Sequence, residues 1–324
     1  MKAILAATLT AIAALWGVPA NAQSSDYPNK PIRIVVPFAP GGGTDLTARI
    51  VGDALSKAWG QSVIVDNRPG ASSQIGIDFV AKSPPDGYTL LWASSDGISI
   101  LPAVKPTVPY KIPDGFEFVS TFAAYPLILA VNAKLPIKNM KEFVEYAKAH
   151  PGQMNYSSSG AGGGGHLLPA YIAKEIGVEM NHVPYDSGAQ TVVAVAGGHA
   201  DFGTAAPSST APYVEGGTVR AIATTGKGRT SLLPSVPTMA EEGYPQFTED
   251  LFYGMFAPAG TPADIVAKLR DGVQAVLKQQ ATVDRLHTMG LEPLGLTGND
   301  YKQFVVNDLK RWGDIAKAID FKLR

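Results

Sequence analysis

Short runs of β-branched and apolar residues alternate with segments whose apolar residues recur every three or four positions. No other feature limits the fold of this chain as much. "IRIVVPF" leads into a segment with Leu46, Ile50, Ala54, Leu55 and Ala58 on one helical face. "SVIVDNRPGA" reads as a strand and turn. A helix follows over Gln74 to Ala81, "PPDGY" turns the chain, and "TLLWAS" is a buried strand. Strand–helix–strand units of this kind pair their strands in parallel and place helices on both sheet faces. The rhythm returns after "NMKEFVEYAKAH", a helix stopped by Pro151 and Gly152. Strand "QMNYSS", helix "HLLPAYIAKEI", strand "EMNHVPY", helix "AQTVVAVAGG" and strands "DFGTAA" and "VRAIATT" follow in order.

Two long apolar runs, "FEFVSTFAAYPLILAVNA" and "LFYGMFAPAG", bracket this second block and are expected to carry the chain between two lobes. Beyond them, "TPADIVAKLRDGVQAVLKQQ" offers Thr261 as N-cap, Pro262 at N1 and Asp264 at N3, with Ile265, Leu269, Val273 and Val276 on one face. After a short run around Leu294, "NDYKQFVVNDLKRWGDIAKAI" forms the last helix, with Asn299 as its cap. The expectation is an α/β protein of two lobes, with parallel-rich sheets flanked by helices and two crossover strands as the hinge. Residues 23–124 and 251–324 form the first lobe and residues 125–250 the second. Clefts between lobes are favoured ligand sites, and hinge closure is the natural motion.

The start of the chain reads as a targeting signal. Lys2 precedes an apolar stretch from Ala3 to Val18, which ends in the small-residue pattern Ala20-Asn21-Ala22. This predicts a cleaved secretory signal over residues 1–22; the competing reading, a membrane anchor, needs an apolar run of about 20 residues. The sequence holds no cysteine, so it has no disulfide and no lipid-modified cysteine. A free periplasmic protein, not itself membrane-spanning, is expected. The net charge of −1 gives no basic surface for nucleic acid.

Two glycine loops carry the functional argument. In "VVPFAPGGGTDLTAR" a strand ends, Gly41 to Gly43 follow, and a helix begins. Helix N-termini have N–H groups without intrahelical partners and favour anions. The glycines let a ligand approach that backbone closely, with Thr44 or Asp45 as the helix cap. The plain alternative is a tight strand-to-helix turn. In "NYSSSGAGGGGHLLPAY" the hydroxyls of Ser157, Ser158 and Ser159 precede six residues, Gly160 to Gly165, that supply open backbone, and His166 starts the helix. One such loop on each lobe, facing across the cleft, would grip a carboxylate. Gly160, Gly162 and Gly165 also match G-x-G-x-x-G, with Glu179 further on. In a glycine homopolymer such a match comes free, and no dinucleotide cofactor is expected. There is no G-x-S-x-G, H-E-x-x-H or P-loop, and the five histidines show no zinc spacing.

The segments "YPNKPIRIVVPFAPGGGTDLTARIVGDAL", "NRPGASSQIGIDFVAKSPPDGYTLLWAS", "PGQMNYSSSGAGGGGHL", "VPYDSGAQTVVAVAGGHADF" and "LLPSVPTMAEEGYP" occur in this order. Together they resemble the substrate-binding proteins of tripartite tricarboxylate transporters, the Bug family, over essentially the whole mature chain. The resemblance implies a periplasmic binding protein of type II-like fold. Such a receptor, with no cofactor and no chemistry of its own, closes on a small organic carboxylate: a di- or tricarboxylate, an aromatic carboxylate or an acidic amino acid. It then delivers that ligand, as a monomer, to a large and a small integral membrane subunit.

By position, the resemblance makes Phe38, Ala39, Pro40, Gly41, Gly42 and Asp45 the first jaw. Ser158, Ser159, Gly160, Ala161, Gly162 and His166 form the second. Ser94, Ser95 and Asp96 end a first-lobe strand and face the cleft. Asp186, Ser187, Thr204 and Ala205 end second-lobe strands, and Phe252 and Tyr253 lie on the returning crossover, each reading equally as core or, as for Tyr253, as a ligand wall. Asp96 stands where many members carry Thr or His, Asp186-Ser187 where many carry Lys-Gly, and Ala205 where Asp is common. These departures imply a ligand whose far end is less anionic than citrate or carries a donor, such as an amino group; Asp96 and Asp186 as plain helix caps is the alternative. Two other functions fit the same architecture: a sensory receptor for a signalling partner, and a periplasmic hydrolase or isomerase using His166 with Asp96 or Asp186.

Overall fold

A computed structural model describes residues 27–323. The expected signal segment, residues 1–22, lies outside them. The chain begins with β1 (Ile32–Val36), α1 (Gly43–Trp59), β2 (Val63–Asn67), α2 (Gln74–Ala81) and β3 (Thr89–Ser94). A π-helical turn over Asp96–Ile100 then runs into the one-turn α3 (Leu101–Val104). Next come β4 (Phe116–Pro126), β5 (Ile128–Asn132), α4 (Met140–Ala149), β6 (Asn155–Ser158), α5 (Gly164–Ile176) and β7 (Asn181–Pro184). They are followed by α6 (Gly188–Gly197), β8 (Phe202–Ala205), α7 (Pro207–Glu215) and β9 (Val219–Thr224). The chain closes with β10 (Asp250–Pro258), α8 (Ala263–Leu277), α9 (Gln280–His287), β11 (Glu292–Pro293) and α10 (Gly298–Ala318).

The strands form two sheets, β11-β4-β10-β3-β1-β2 and β7-β6-β8-β5-β9. The strand–helix–strand units make the parallel part of each: β1 with β2 and β3, and β6 with β7 and β8. The strands that cross between lobes add antiparallel partners, so the sheets are mixed and less parallel than the helical rhythm alone suggests. β10 runs antiparallel to both β3 and β4, and β5 to both β8 and β9. The long apolar run over residues 116–133 is β4 and β5, separated by the single residue Leu127. Its side chains are almost all buried because α8 and α10 cover β4 and α6 and α7 pack on β5. Tyr125, Leu127 and Leu129 are buried and join the cores of the two lobes.

Some local expectations shift by a residue or two. α1 buries Thr47, Ala48, Val51 and Leu55, while Ala58 is exposed. Its stripe is rotated because α1 packs on the sheet and against α8, where Gly272 sits beneath Leu55 and Trp59. Pro262, not Thr261, is the N-cap of α8, and the Thr261 hydroxyl donates to the Pro258 carbonyl at 2.7 Å. Thr297 is the N-cap of α10, so Asn299 falls inside the helix. Trp92 anchors the first lobe: it is fully buried, edge-on to Phe122, and its indole N–H donates to Thr47 Oγ1 at 3.0 Å. Burial of such a ring contributes about 1.5–3 kcal/mol or more, provided the N–H is satisfied, as it is. No described helix is long and apolar enough to cross a membrane.

Candidate functional site

The first glycine loop leaves the carboxyl end of β1 and delivers the N-terminus of α1. Gly41 has φ +90°, a left-handed conformation suited to glycine, and Gly42 is the N-cap. The first intrahelical bond runs from Leu46 N–H to the Gly42 carbonyl, so the N–H groups of Gly43, Thr44 and Asp45 precede the ladder. Neither Thr44 nor Asp45 is the cap. Asp45 instead ties the loop together. Its Oδ2 accepts from Gly41 N–H at 3.0 Å and Arg49 Nε at 3.1 Å, and its Oδ1 accepts from Asn67 Nδ2 at 3.0 Å. Burial pushes this carboxyl up, but the hydrogen bonds from Arg49, Gly41 and Asn67 outweigh it and hold it below the usual carboxylate range. Asp45 is therefore a brace for the jaw. The ligand-facing stretch moves along the chain: Phe38, Gly42, Gly43 and Thr44 line the central cavity, whereas Pro40 and Gly41 are exposed.

The second glycine loop differs in kind, because its donors are engaged within the protein. Gly162 N–H donates to His166 Nδ1 at 3.0 Å, and Gly164 N–H to Asp96 Oδ1 at 2.7 Å. Ser158 Oγ donates to the Gly160 carbonyl at 2.9 Å and meets His182 Nε2 at 2.7 Å; Ser157 Oγ donates to the Thr191 carbonyl at 3.0 Å. The expected display of hydroxyls and open backbone is thus turned inward, apart from Ser159, which lines the cavity. Gly160 and Ala161 line a smaller adjoining space with Ser72 and Leu101. Gly163 is required by close approach, since a Cβ there would stand 2.9 Å from Asp96 Oδ1.

His166 sits behind the loop, away from the cavity lining. Its ring stacks on His182 at 3.6 Å between centroids and meets the edge of Phe321. Burial, reinforced by His182, lowers His166 to about 3, and burial lowers His182 to about 4. Both rings are neutral at pH 7, and for His166 the bond from Gly162 N–H requires an unprotonated Nδ1. No acid–base pair forms with Asp96, which bonds Gly164, or with Asp186, whose exposed side chain lies outside the cavity lining. In the unfolded chain both histidines protonate near 6.5. The unfolded state therefore binds more protons below that pH, and stability falls as pH drops from about 6.5 towards 4. Melting curves are expected to be flat above pH 7 and to descend across this window, less steeply in His182→Phe. An identical slope in that variant would exclude the histidine pair as the cause.

Three helix N-termini converge on the cavity. Besides α1, these are α6, whose Ser187 N-cap and Gly188 line it, and α7, represented by Ala206 and Ser209. In α6 the first intrahelical bond is Thr191 N–H to the Ser187 carbonyl at 3.1 Å, so the Gly188 and Ala189 donors precede it. Each terminus carries roughly half a positive charge, and no lysine, arginine or histidine lines the cavity among the described residues. Ser209 Oγ is buried and has no hydrogen-bond partner. One wall is the stacked pair Tyr125 and Tyr253, 4.1 Å apart; a register shift between Tyr253 and Gly254 interrupts β10 at this point. Leu127, Thr204 and Ala205 complete the lining.

Several expected residues support this cavity without lining it. Ser94 and Ser95 are buried, and Ser95 Oγ accepts from Phe252 N–H at 2.9 Å. Thr204 does line the cavity, but its Oγ1 donates to the Gly165 carbonyl. Ala39 and Asp186 meet through backbone, Ala39 N–H donating to the Asp186 carbonyl at 3.1 Å across the two lobes. Gly188, Ala206 and Ser209 lie outside the sequence expectation; the available signal was a strand followed at once by Ser-Gly or Pro-Ser-Ser at a helix start. The cavity is narrow: about 30 Å³ of it is open to the centre of a water molecule. The lobes meet beside it, through Ala39 N–H on the Asp186 carbonyl and Gly164 N–H on Asp96 Oδ1.

The sequence model of the tripartite tricarboxylate transporter family receptor matches residues 47–321. Protein BugT of Bordetella pertussis is 32% identical over 99% of this chain and 98% of its own. Among solved structures, a periplasmic transporter superposes with a TM-score of 0.89 at 36% identity, covering 92% of this chain and all of that one. R. palustris Rpa4515 with adipate gives 0.86 at 32% identity over 91% of this chain and 99% of the other. MatC from Rhodopseudomonas palustris with bound malate gives 0.83 at 28% identity over 89% and 99%. A family match over most of the chain, joined to full-length relatives of this identity, places it: the chain belongs to the tripartite tricarboxylate transporter receptor family.

Proposed function

We propose that this protein is a periplasmic receptor that captures a small organic carboxylate between its lobes, closes on it, and hands it unchanged to the membrane subunits of a tripartite transporter. One observation carries the reading. Unpaired donors at the N-termini of α1 and α6, and the orphaned hydroxyl of Ser209 on α7, face one cavity that holds no cationic side chain. Oriented backbone dipoles of this kind solvate an anion without a counter-ion. The related structures with adipate and malate support the ligand class. The parts for catalysis are not assembled at the cavity: among the described residues its one ionisable carboxylate, Asp96, is engaged by the second loop, and no histidine lines it. Closure is a hinge motion of β4 and β10, the paired strands that carry the chain out of and back into the first lobe.

Melting-temperature measurements against a panel of small carboxylates test the reading. A ligand of the native state raises the melting temperature by mass action, and a receptor returns the compound chemically unchanged. Ser209→Ala is expected to weaken that ligand about 10- to 100-fold, since a hydrogen bond to a charged group contributes about 1.5–3 kcal/mol. Turnover of the bound compound, or full affinity in Ser209→Ala, would reject the site as drawn.

A further inference from the structure

Asp96 belongs to the first lobe, in the π-helical turn after β3, yet its carboxylate caps α5 of the second lobe through Gly164 N–H at 2.7 Å. The second glycine loop would otherwise present this helix N-terminus to a ligand anion. Here the chain brings its own anion, from the opposite side of the cleft. Oδ1 is held by Gly164, Oδ2 meets the Ser159 hydroxyl at 3.5 Å, the Ser94 hydroxyl also lies against the carboxylate, and the side chain lines the cavity. The carboxylate therefore keeps accepting capacity on the cavity side, and no basic residue lines the cavity to neutralise it, among the described residues. At the same cavity, α1 and α6 present unengaged donors, and the buried Ser209 hydroxyl lacks a partner. The site is polarised, with donors on one part of its wall and a carboxylate on another.

We propose that Asp96 is the specificity-determining residue: it occupies the anion position of the second jaw and restricts the ligand to one carboxylate, with an ammonium or other hydrogen-bond donor at the far end. The proposal rests on the receptor reading and narrows its ligand class. A dicarboxylate would bring its second anion against Asp96 inside a space of low dielectric, where like charges a few ångströms apart disfavour each other. A donor at that end instead completes the free lone pairs of Oδ2. The Gly163 position fits this role, since only a residue without Cβ lets Asp96 reach Gly164.

Matched pairs of ligands test it by calorimetric titration: succinate against β-alanine, glutarate against γ-aminobutyrate, and adipate against 5-aminopentanoate. Within each pair an ammonium replaces one carboxylate on the same carbon chain. The native protein is expected to prefer an amino acid over its partner dicarboxylate at least tenfold. Asp96→Asn keeps an acceptor for Gly164 N–H and removes the charge. It is expected to shrink or invert that ratio by tenfold or more, mainly by admitting the dicarboxylate. Asp96→Ser serves as a second variant, and melting curves without ligand verify that both fold. Dicarboxylate binding with the ratio unchanged in Asp96→Asn overturns the role of Asp96 and leaves the receptor reading standing. Binding of no member of any pair, by folded native protein or variants, overturns both.

Discussion

Oxidising the double variant Gly42→Cys/Ser187→Cys is expected to abolish carboxylate uptake, and reduction to restore it. Gly42 is the N-cap of α1 in the first lobe and Ser187 the N-cap of α6 in the second. A Cβ built on Gly42 lies 3.7 Å from Ser187 Cβ, inside the range of about 3.5–4.5 Å that disulfides span. Both residues have extended backbone at negative φ, so cysteine fits either position without backbone strain. The natural sequence has no cysteine, so no other pairing competes. The bridge would fasten the lobes beside the cavity, so that ligand could neither enter nor leave by their parting. It would also close a loop of about 145 residues, which the chain-entropy argument values at about 4–5 kcal/mol. The oxidised protein should therefore melt higher while binding nothing. Replacing Ser187 removes the cap on Gln190 N–H, at a cost of about 0.5–2 kcal/mol, so the reduced double variant and each single variant are the proper references. Undiminished binding by the fully oxidised protein would mean that ligand enters without the lobes parting, and the hinge mechanism would fall.

The architecture was legible in the sequence because periodicity is a property of burial on one face, and each strand–helix unit buries one face. The positions at which elements meet were less legible. The glycine loops were recognisable as places of close backbone approach, but whether a donor is free depends on residues far along the chain. Gly164 is engaged by Asp96, 68 positions away, and Gly41 by Asp45, only four away. The first pairing exists only because two lobes close on each other, which no local pattern encodes. His166 belongs to the second jaw by resemblance alone; its stack on His182 makes it a prop for the loop. Ser209 carries only a faint signal, its place in Pro-Ser-Ser at a helix start. Its significance is a hydroxyl buried without a partner, a condition that arises in three dimensions and that native proteins rarely leave unexplained.

Replacing Gly43 by alanine should have an effect far out of proportion to one methyl group. A Cβ on Gly43 would stand 2.2 Å from Tyr253 Oη and 3.0 Å from its Cζ. Tyr253 cannot easily yield, because it is buried and its ring is stacked on Tyr125 with only 10° between planes. Either the ring pair shifts into the cavity or α1 retreats from it, and both disturb the donors at Gly43 and Thr44. Forcing a methyl group into a close-packed contact costs about 1–3 kcal/mol, so the melting temperature should fall by several degrees. Binding should weaken more than 100-fold, because the wall and the donors are displaced together. The neighbouring Gly42→Ala is the control: its Cβ meets nothing nearer than 3.7 Å, so stability should hardly change. Adding Tyr253→Phe to Gly43→Ala removes the clashing oxygen and should recover most of the lost stability, leaving the tighter ring contact as the residual. If Gly43→Ala binds as the native protein does, the junction of α1 with Tyr253 does not form the ligand wall, and the donors that matter lie on α6 and α7 alone.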